Sequence, residues 1–222
     1  MIRRALAVLL WLAAVSAQAG GHFDVDDAGT LDPGQCQYEL WGTRVGDART
    51  TLWHVGPACR VGPIELGLNI DRIAGPDEKV DLLGPQVKWT FLGRAPEARW
   101  TAALSVSATF DVSRSGGRAG GQFVLPVTWR ATDSLMVHGN LGTDWLPGTG
   151  TRTGRGGLGA EWALNPTISL LAERNRAFGL WTSRVGARFN ITPLISIDLT
   201  TARTGPEGVR SVTIGLNHEF SR

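Results

Sequence analysis

Beyond its first twenty residues the 222-residue chain has no apolar run approaching eighteen, only two cysteines, and no surplus of charge. Each shortage removes a class of protein. A helix crossing a ~30 Å hydrocarbon core takes about 20 apolar residues in succession, so no helix of the exported chain is expected to span a membrane. Cys36 and Cys59 are too few for a structural zinc site without histidines beside them, and His54 alone does not complete one. The chain has 22 Lys+Arg and 20 Asp+Glu; losing Arg3 and Arg4 with the leader leaves 20 of each. A nucleic-acid partner therefore has no electrostatic support. There is no phosphate-binding glycine loop, no metal-ligand spacing and no nucleotide fingerprint, so no cofactor is expected.

What is present begins with the leader, "MIRRALAVLLWLAAVSAQAGG". Two arginines, a short apolar stretch and the small-x-small finish Ala17-Gln18-Ala19 predict a signal peptide over residues 1–19, cleaved after Ala19. The apolar stretch is too short to serve as a spanning anchor. Export implies an oxidising compartment for the two cysteines.

Beyond the leader the dominant period is two. In "WTAALSVSATFDV", residues 100–112, even positions carry Trp, Ala, Leu, Val, Ala, Phe and Val, and odd positions are mostly hydroxylated or charged. Thirteen alternating residues exceed the usual soluble strand and suit one tilted across a bilayer, which needs about 9–11. The pattern recurs near 35–43, 50–60, 63–72, 80–91, 100–112, 122–131, 135–146, 156–164, 167–175, 180–190, 194–203 and 210–220. No segment of helical length carries a 3.6-residue apolar stripe. Short connections such as "TDS", "NP" and "ITPL" alternate with longer glycine-rich ones such as "SRSGGRAGG" and "PGTGTRTGRG". The expectation is an all-β, closed up-and-down antiparallel transmembrane barrel over residues 35–222, of about 12 strands, with 10 or 14 as alternatives. Pro85 and Pro126 fall inside strands, where each removes a ladder donor, and they speak against a sheet without edges.

The two faces decide what the barrel turns outward. One is aliphatic; the other carries Lys88, Arg130, His138, Glu161, Glu173, Arg184, Arg188 and Asp198, the candidate pore lining. With the aliphatic face inward, a twelve-stranded barrel would enclose more space than Val, Leu and Ala can fill. Facing lipid, they need fill nothing. The aromatics sort by strand direction: Trp89, Phe91, Trp100, Trp129, Trp162, Phe189 and Phe220 fall at one rim, and Trp53, Phe110, Phe123, Trp145 and Trp181 at the other. Two such girdles are what amphipathic rings form at two lipid–water interfaces.

The last strand, "SVTIGLNHEFSR", ends on an aromatic. Thr213, Gly215, His218 and Phe220 resemble the C-terminal signal by which the insertion machinery recognises bacterial outer-membrane barrels, although His218 stands where an aromatic or aliphatic is usual and Ser221-Arg222 follow Phe220. Residues 23–40, "FDVDDAGTLDPGQCQYEL", with the hairpins "GPIELGLNID" and "GPQVKWTFL", resemble small outer-membrane barrels described as transporters linked to aromatic-compound (phenol) degradation. That resemblance implies an outer-membrane location and small, aromatic or apolar solutes.

Placing the first hairpin's turn at Asp47-Ala48 makes cross-strand partners sum to 95. Cys36 then opposes Cys59, with Tyr38 opposite Pro57, Leu40 opposite Val55 and Gly42 opposite Trp53, which predicts a disulfide. Inward acids outnumber inward bases, so a weak cation preference is expected if the barrel conducts; the preferred reading is that these charges pair and keep the interior satisfied. Residues 20–34, acidic and rich in glycine, are expected as a disordered periplasmic tail, with a plug reaching towards Arg184 and Arg188 as the alternative. Catalysis is not expected: His54 and His138 point inward, and no acid orients His218 beside Ser221. The functional reading is a monomeric passive channel for small molecules, in contact with outer-membrane lipid and without nucleic-acid partners. The alternatives are a non-conducting scaffold barrel and a soluble secreted β-protein.

Overall fold

The structure is a computed structural model that describes residues 23–46, 49–76, 79–95, 98–113 and 119–221. The leader, residues 1–19, lies outside the described residues. Twelve strands follow in order: β1 Gln35–Val45, β2 Thr50–Val61, β3 Ile64–Ala74, β4 Lys79–Leu92, β5 Trp100–Asp111, β6 Gly120–Arg130, β7 Leu135–Trp145, β8 Arg152–Asn165, β9 Ile168–Ala177, β10 Leu180–Thr192, β11 Ile195–Thr204 and β12 Val209–Ser221. Every strand pairs antiparallel with its sequence neighbours, and β1 pairs with β12 from Gln35↔Ser221 to Val45↔Ser211, so the sheet closes on itself. Phe220 is thus held in a paired strand, opposite Cys36.

The period-two sequence dictates which side is which. Apolar side chains stand outward and exposed, among them Val55, Leu66, Ile70, Val106, Leu158, Leu199 and Ile214, with Leu141 70% exposed. The buried set is polar: Lys88, His138, Asn140, Asp144, Glu173, Arg188, Asp198, Thr200 and Asn217. A water-soluble protein rarely exposes contiguous apolar patches beyond a few hundred Å²; here the apolar side encircles the molecule. The surrounding solvent is hydrocarbon, in which only a closed sheet leaves no backbone group unpaired. The apolar-inward alternative, a soluble β-protein, is ruled out by this inversion.

The aromatic rings stand on the same outer wall. Trp100 stacks on its cross-strand partner Trp129 with centroids 5.6 Å apart, and Trp53 at the other end is 59% exposed. Trp89, Trp162, Trp181 and Phe189 are exposed, whereas Trp145 is half-buried beneath Arg152.

Two expectations need correction. The connections do not alternate strictly in length: residues 93–99 make a long link at the end that carries the termini, while 178–179 make a two-residue turn at the opposite, loop end. That turn has Phe178 at φ 48° and Gly179 at φ 84°, both in the left-handed region that a type I′ hairpin requires. The side chain that secures it is Asp144, which accepts the Phe178 N–H at 2.7 Å. The mid-strand prolines also prove compatible with a sheet lacking edges. Pro57, Pro85 and Pro126 each pair with one neighbour, at Tyr38, Leu68 and Asn140. Toward the other neighbour the pairing skips the proline, at β2–β3, β4–β5 and β5–β6, and resumes in the same register. The donor a proline lacks is thus absent from a ladder already interrupted.

The first hairpin has the register expected from its sequence, Cys36↔Cys59 through Gly42↔Trp53, and the two cysteines form a disulfide with Cα atoms 4.0 Å apart.

Candidate functional site

The lumen contains more than barrel wall. The preferred expectation of a disordered tail gives way to the alternative, a segment entering the lumen: residues 23–31 lie inside it, with Val25, Ala28 and Leu31 buried, and 32–34 are exposed. The correction has a physical cause: a segment with no periodicity of its own can still be ordered by donors and acceptors that surround it once the barrel closes. Beginning at the terminal end, the Leu31 N–H donates to Glu65 Oε2 (2.9 Å), and Arg60 donates to Thr30 Oγ1 (2.6 Å) and the Leu31 carbonyl (2.8 Å). Further in, the Ala28 N–H donates to Thr128 Oγ1 (2.9 Å) and Thr90 Oγ1 donates to the Ala28 carbonyl (2.7 Å). Asn140, with its amide oriented to satisfy both ends, donates to the Asp26 carbonyl at 2.9 Å and accepts the Asp26 N–H at 2.6 Å. At the far wall the Val25 N–H donates to Glu173 Oε2 (3.0 Å), and Arg155 reaches the Asp24 carbonyl (3.3 Å). The segment therefore crosses from the β2–β4 wall to the β8–β10 wall as a strap.

Charge reinforces the path. Lys88 Nζ lies 2.9 Å from Asp26 and 3.7 Å from Asp27, and Arg184 bridges Asp24 at 3.3 Å and Glu173 at 2.9 Å. Burial raises the Asp26 carboxyl above its ordinary range, against the pull of the Lys88 ammonium that lowers it. Shape matters as well. A Cβ on Gly157 would lie 2.9 Å from Val25 Cγ2, so β8 is cleared of side chains where Val25 lodges.

All eight candidate lining residues face the interior. Arg188, 2% exposed, joins Asp198 by two hydrogen bonds of 2.8 and 3.0 Å and Glu161 by one of 3.1 Å. His138 Nδ1 meets Thr128 Oγ1 at 2.9 Å, and Arg130 lines the chamber at the terminal end. The charges pair mainly between neighbouring strands and with the strap. Sequence reasoning missed Arg155, which pairs with Asp144 at 2.7 Å. It is inward only because β8 starts at Arg152, four residues before the expected limit; the alternation Thr153, Arg155, Gly157, Gly159, Glu161 was the available signal. Trp41 was missed too: it points inward and stacks on His54 at 4.7 Å, whose Nδ1 lies 2.7 Å from Asp71.

Of the C-terminal residues, Thr213 is buried inward and bonded to Thr43 (2.7 Å). His218 and Phe220 stand outward, His218 Nδ1 lying 2.8 Å from the Tyr38 hydroxyl. Gly215 pairs with Trp41 and Asp198.

The strap leaves space on both sides. One cavity of about 360 Å³ lies towards the loop end against Trp41, His54, Asp71, Arg155 and Phe178. Another of about 520 Å³ opens at the terminal end against Arg60, Arg94, Arg130, Met136 and Glu219. Phe23, Asp26, Asp27, Gly29, Thr30 and Leu31 form walls of both.

Residues 7–220 match the sequence profile of the family described as "Uncharacterised conserved protein UCP029691". No curated protein matches the chain. Among solved structures it is similar to the KdgM porin in complex with disordered oligogalacturonate, at 9% identity and TM-score 0.65, over 83% of this chain and 99% of that one. It is likewise similar to the NanC porin, at 10% identity and TM-score 0.61, over 82% and 98%. The COG4313 outer membrane channel from Pseudomonas putida F1 follows at 13% identity and TM-score 0.56, over 90% and 100%. At these identities the likeness is one of fold.

Proposed function

The chain belongs to the family described as Uncharacterised conserved protein UCP029691, and we propose that it is an outer-membrane channel for passive passage of small molecules, narrowed by its own N-terminal strap. One observation carries the proposal: a polar lumen holds two chambers whose shared wall is the strap. Volumes of about 360 and 520 Å³ fall within the range of small-ligand sites, roughly 300–1,000 Å³, so each chamber has room for a sugar or an aromatic acid. Trp41, Phe23 and Phe178 offer flat surfaces to a planar solute in the loop-end chamber, in keeping with the resemblance to barrels linked to aromatic-compound degradation. The fold likeness to KdgM, NanC and the COG4313 channel supports channel activity and outer-membrane location.

In this reading residues 1–19 are removed on export, the strap enters from the periplasm, and Thr213, Gly215, His218 and Phe220 present the insertion signal. The tryptophan girdles lie at the headgroups, where amphipathic rings are favoured, and the barrel acts as a monomer.

Liposome swelling tests it, with a panel of sugars and aromatic acids on the mature protein and on a variant lacking residues 20–32. Swelling by both, faster for the deletion, is expected. A deletion variant that retains heat-dependent gel mobility yet passes no solute would overturn the channel in favour of a non-conducting scaffold. Equal swelling by the two proteins would remove the strap's role.

A further inference from the structure

The outer wall is electrically lopsided. Among the described strand residues its outward charges all lie in the half that carries the loop end; the half next to the termini presents only apolar, aromatic and small polar groups. Arg44, Arg152, Arg174, Arg176, Arg203 and Arg210 occupy outward positions on β1, β8, β9, β11 and β12, and five of the six are exposed, Arg176 being half-buried. Among the described residues none of the six forms an ion pair. Their contacts leave the charge unneutralised: Arg174 lies over Trp181 at 5.0 Å and donates to Ser183 at 2.6 Å, Arg152 lies over Trp145 at 5.7 Å, and Arg176 donates to the Gly154 carbonyl at 3.0 Å.

Arg203 and Arg210 are direct cross-strand partners. Like charges placed opposite one another destabilise a sheet, and arginines on the lipid side of a barrel are costly except near an interface. Arg72, by contrast, meets Asp81 at 3.0 Å on the same wall, so an outward arginine can be neutralised within the chain where a carboxylate is at hand.

Resting on the outer-membrane reading, we propose that these six arginines form a belt that binds the phosphate groups of lipids in the leaflet at the loop end. The guanidinium fork matches phosphate geometry. The neighbouring Trp145 and Trp181 belong to the girdle expected at headgroup depth. Phosphates between Arg203 and Arg210 remove the repulsion that the sheet otherwise bears.

The test is binding of bisphosphorylated lipid A to the detergent-solubilised, heat-modifiable barrel, compared with the same lipid after enzymatic removal of its phosphates. The wild type is expected to prefer the phosphorylated form, the preference weakening with salt. The triple variant Arg174→Gln, Arg203→Gln, Arg210→Gln should bind it about a hundredfold more weakly; Arg72→Gln should bind as the wild type. Equal binding of the two lipid forms, or an unchanged affinity in the triple variant, would overturn the belt. Binding is read without any conductance measurement, so a failed channel assay leaves this result standing and the reverse.

Discussion

Gly159 of β8 faces Val25 so closely that a methyl group on its α-carbon would lie 3.3 Å from Val25 Cγ1. The wall and the strap are thus complementary in shape as well as in hydrogen bonding. Gly159→Val is expected to push Val25 out of its seat and loosen the strap, with the barrel retained. Limited proteolysis within residues 23–32 should accelerate and single-channel conductance should rise; unchanged cleavage would show that the fit does not hold the strap.

Lys88 anchors the middle of the strap through Asp26 and Asp27. Replacing the buried Lys88 leaves two partly exposed carboxylates uncompensated, at a cost below the ~3–5 kcal/mol of a fully buried pair. Lys88→Met should therefore release the strap more fully than Gly159→Val does. The Asp26→Asn, Lys88→Met double variant should lose less than the two single effects combined, as a double-mutant cycle on proteolysis rates would measure.

Within the wall, Arg188 with Asp198 and Glu161 forms a buried charged group. Arg188→Met should lower the denaturant midpoint of the barrel by an amount equivalent to about 3–5 kcal/mol, read from the gel shift between folded and unfolded forms. Deleting the strap should leave that midpoint nearer the wild type, because the guanidinium and the two carboxylates bond one another within the wall.

The Cys36–Cys59 bridge closes a loop with a sequence separation of 23. Loop-closure entropy on that scale stabilises by about 3 kcal/mol, so Cys36→Ser with Cys59→Ser should unfold at lower denaturant. Alkylation without reductant should label no thiol in the wild type; two labelled thiols would contradict the bridge.

The strap brings Asp24, Asp26, Asp27 and Asp32 to a lumen that already holds Glu39, Glu65 and Asp71. Reversal potentials across a salt gradient should show a weak cation preference, reduced when residues 20–32 are deleted. Clear anion selectivity in the intact protein would contradict it.

Much of this molecule was legible in its sequence because period-two patterning and turn chemistry are local. The register of the first hairpin follows from one turn and the side-chain parity of Cys36 and Cys59, since a slip by one residue would turn Cys59 to the wrong face. The strap was legible only as the alternative to a disordered tail, a plug towards Arg184 and Arg188; Asp24 does meet Arg184, but the rest of the path could not be read. Asp24, Val25 and Asp26 find partners on β4, β7, β8, β9 and β10, and those groups become neighbours only on closure. Arg155 escaped notice because the glycines around it blur the strand's start. Phe178 carries no turn signal of its own; a left-handed Phe depends on Asp144, 34 residues away.

The skipped pairings at Pro57, Pro85 and Pro126 all fall between β2 and β6, whereas from β6 through β12 to β2 each strand is zipped to the next without a gap before its terminal bulge. The cylinder is accordingly compliant on one flank and stiff on the other. Amide protons beside the three skips should exchange with deuterium first, and any widening that admits a bulkier solute will come from that flank bowing outward while the opposite one keeps its curvature.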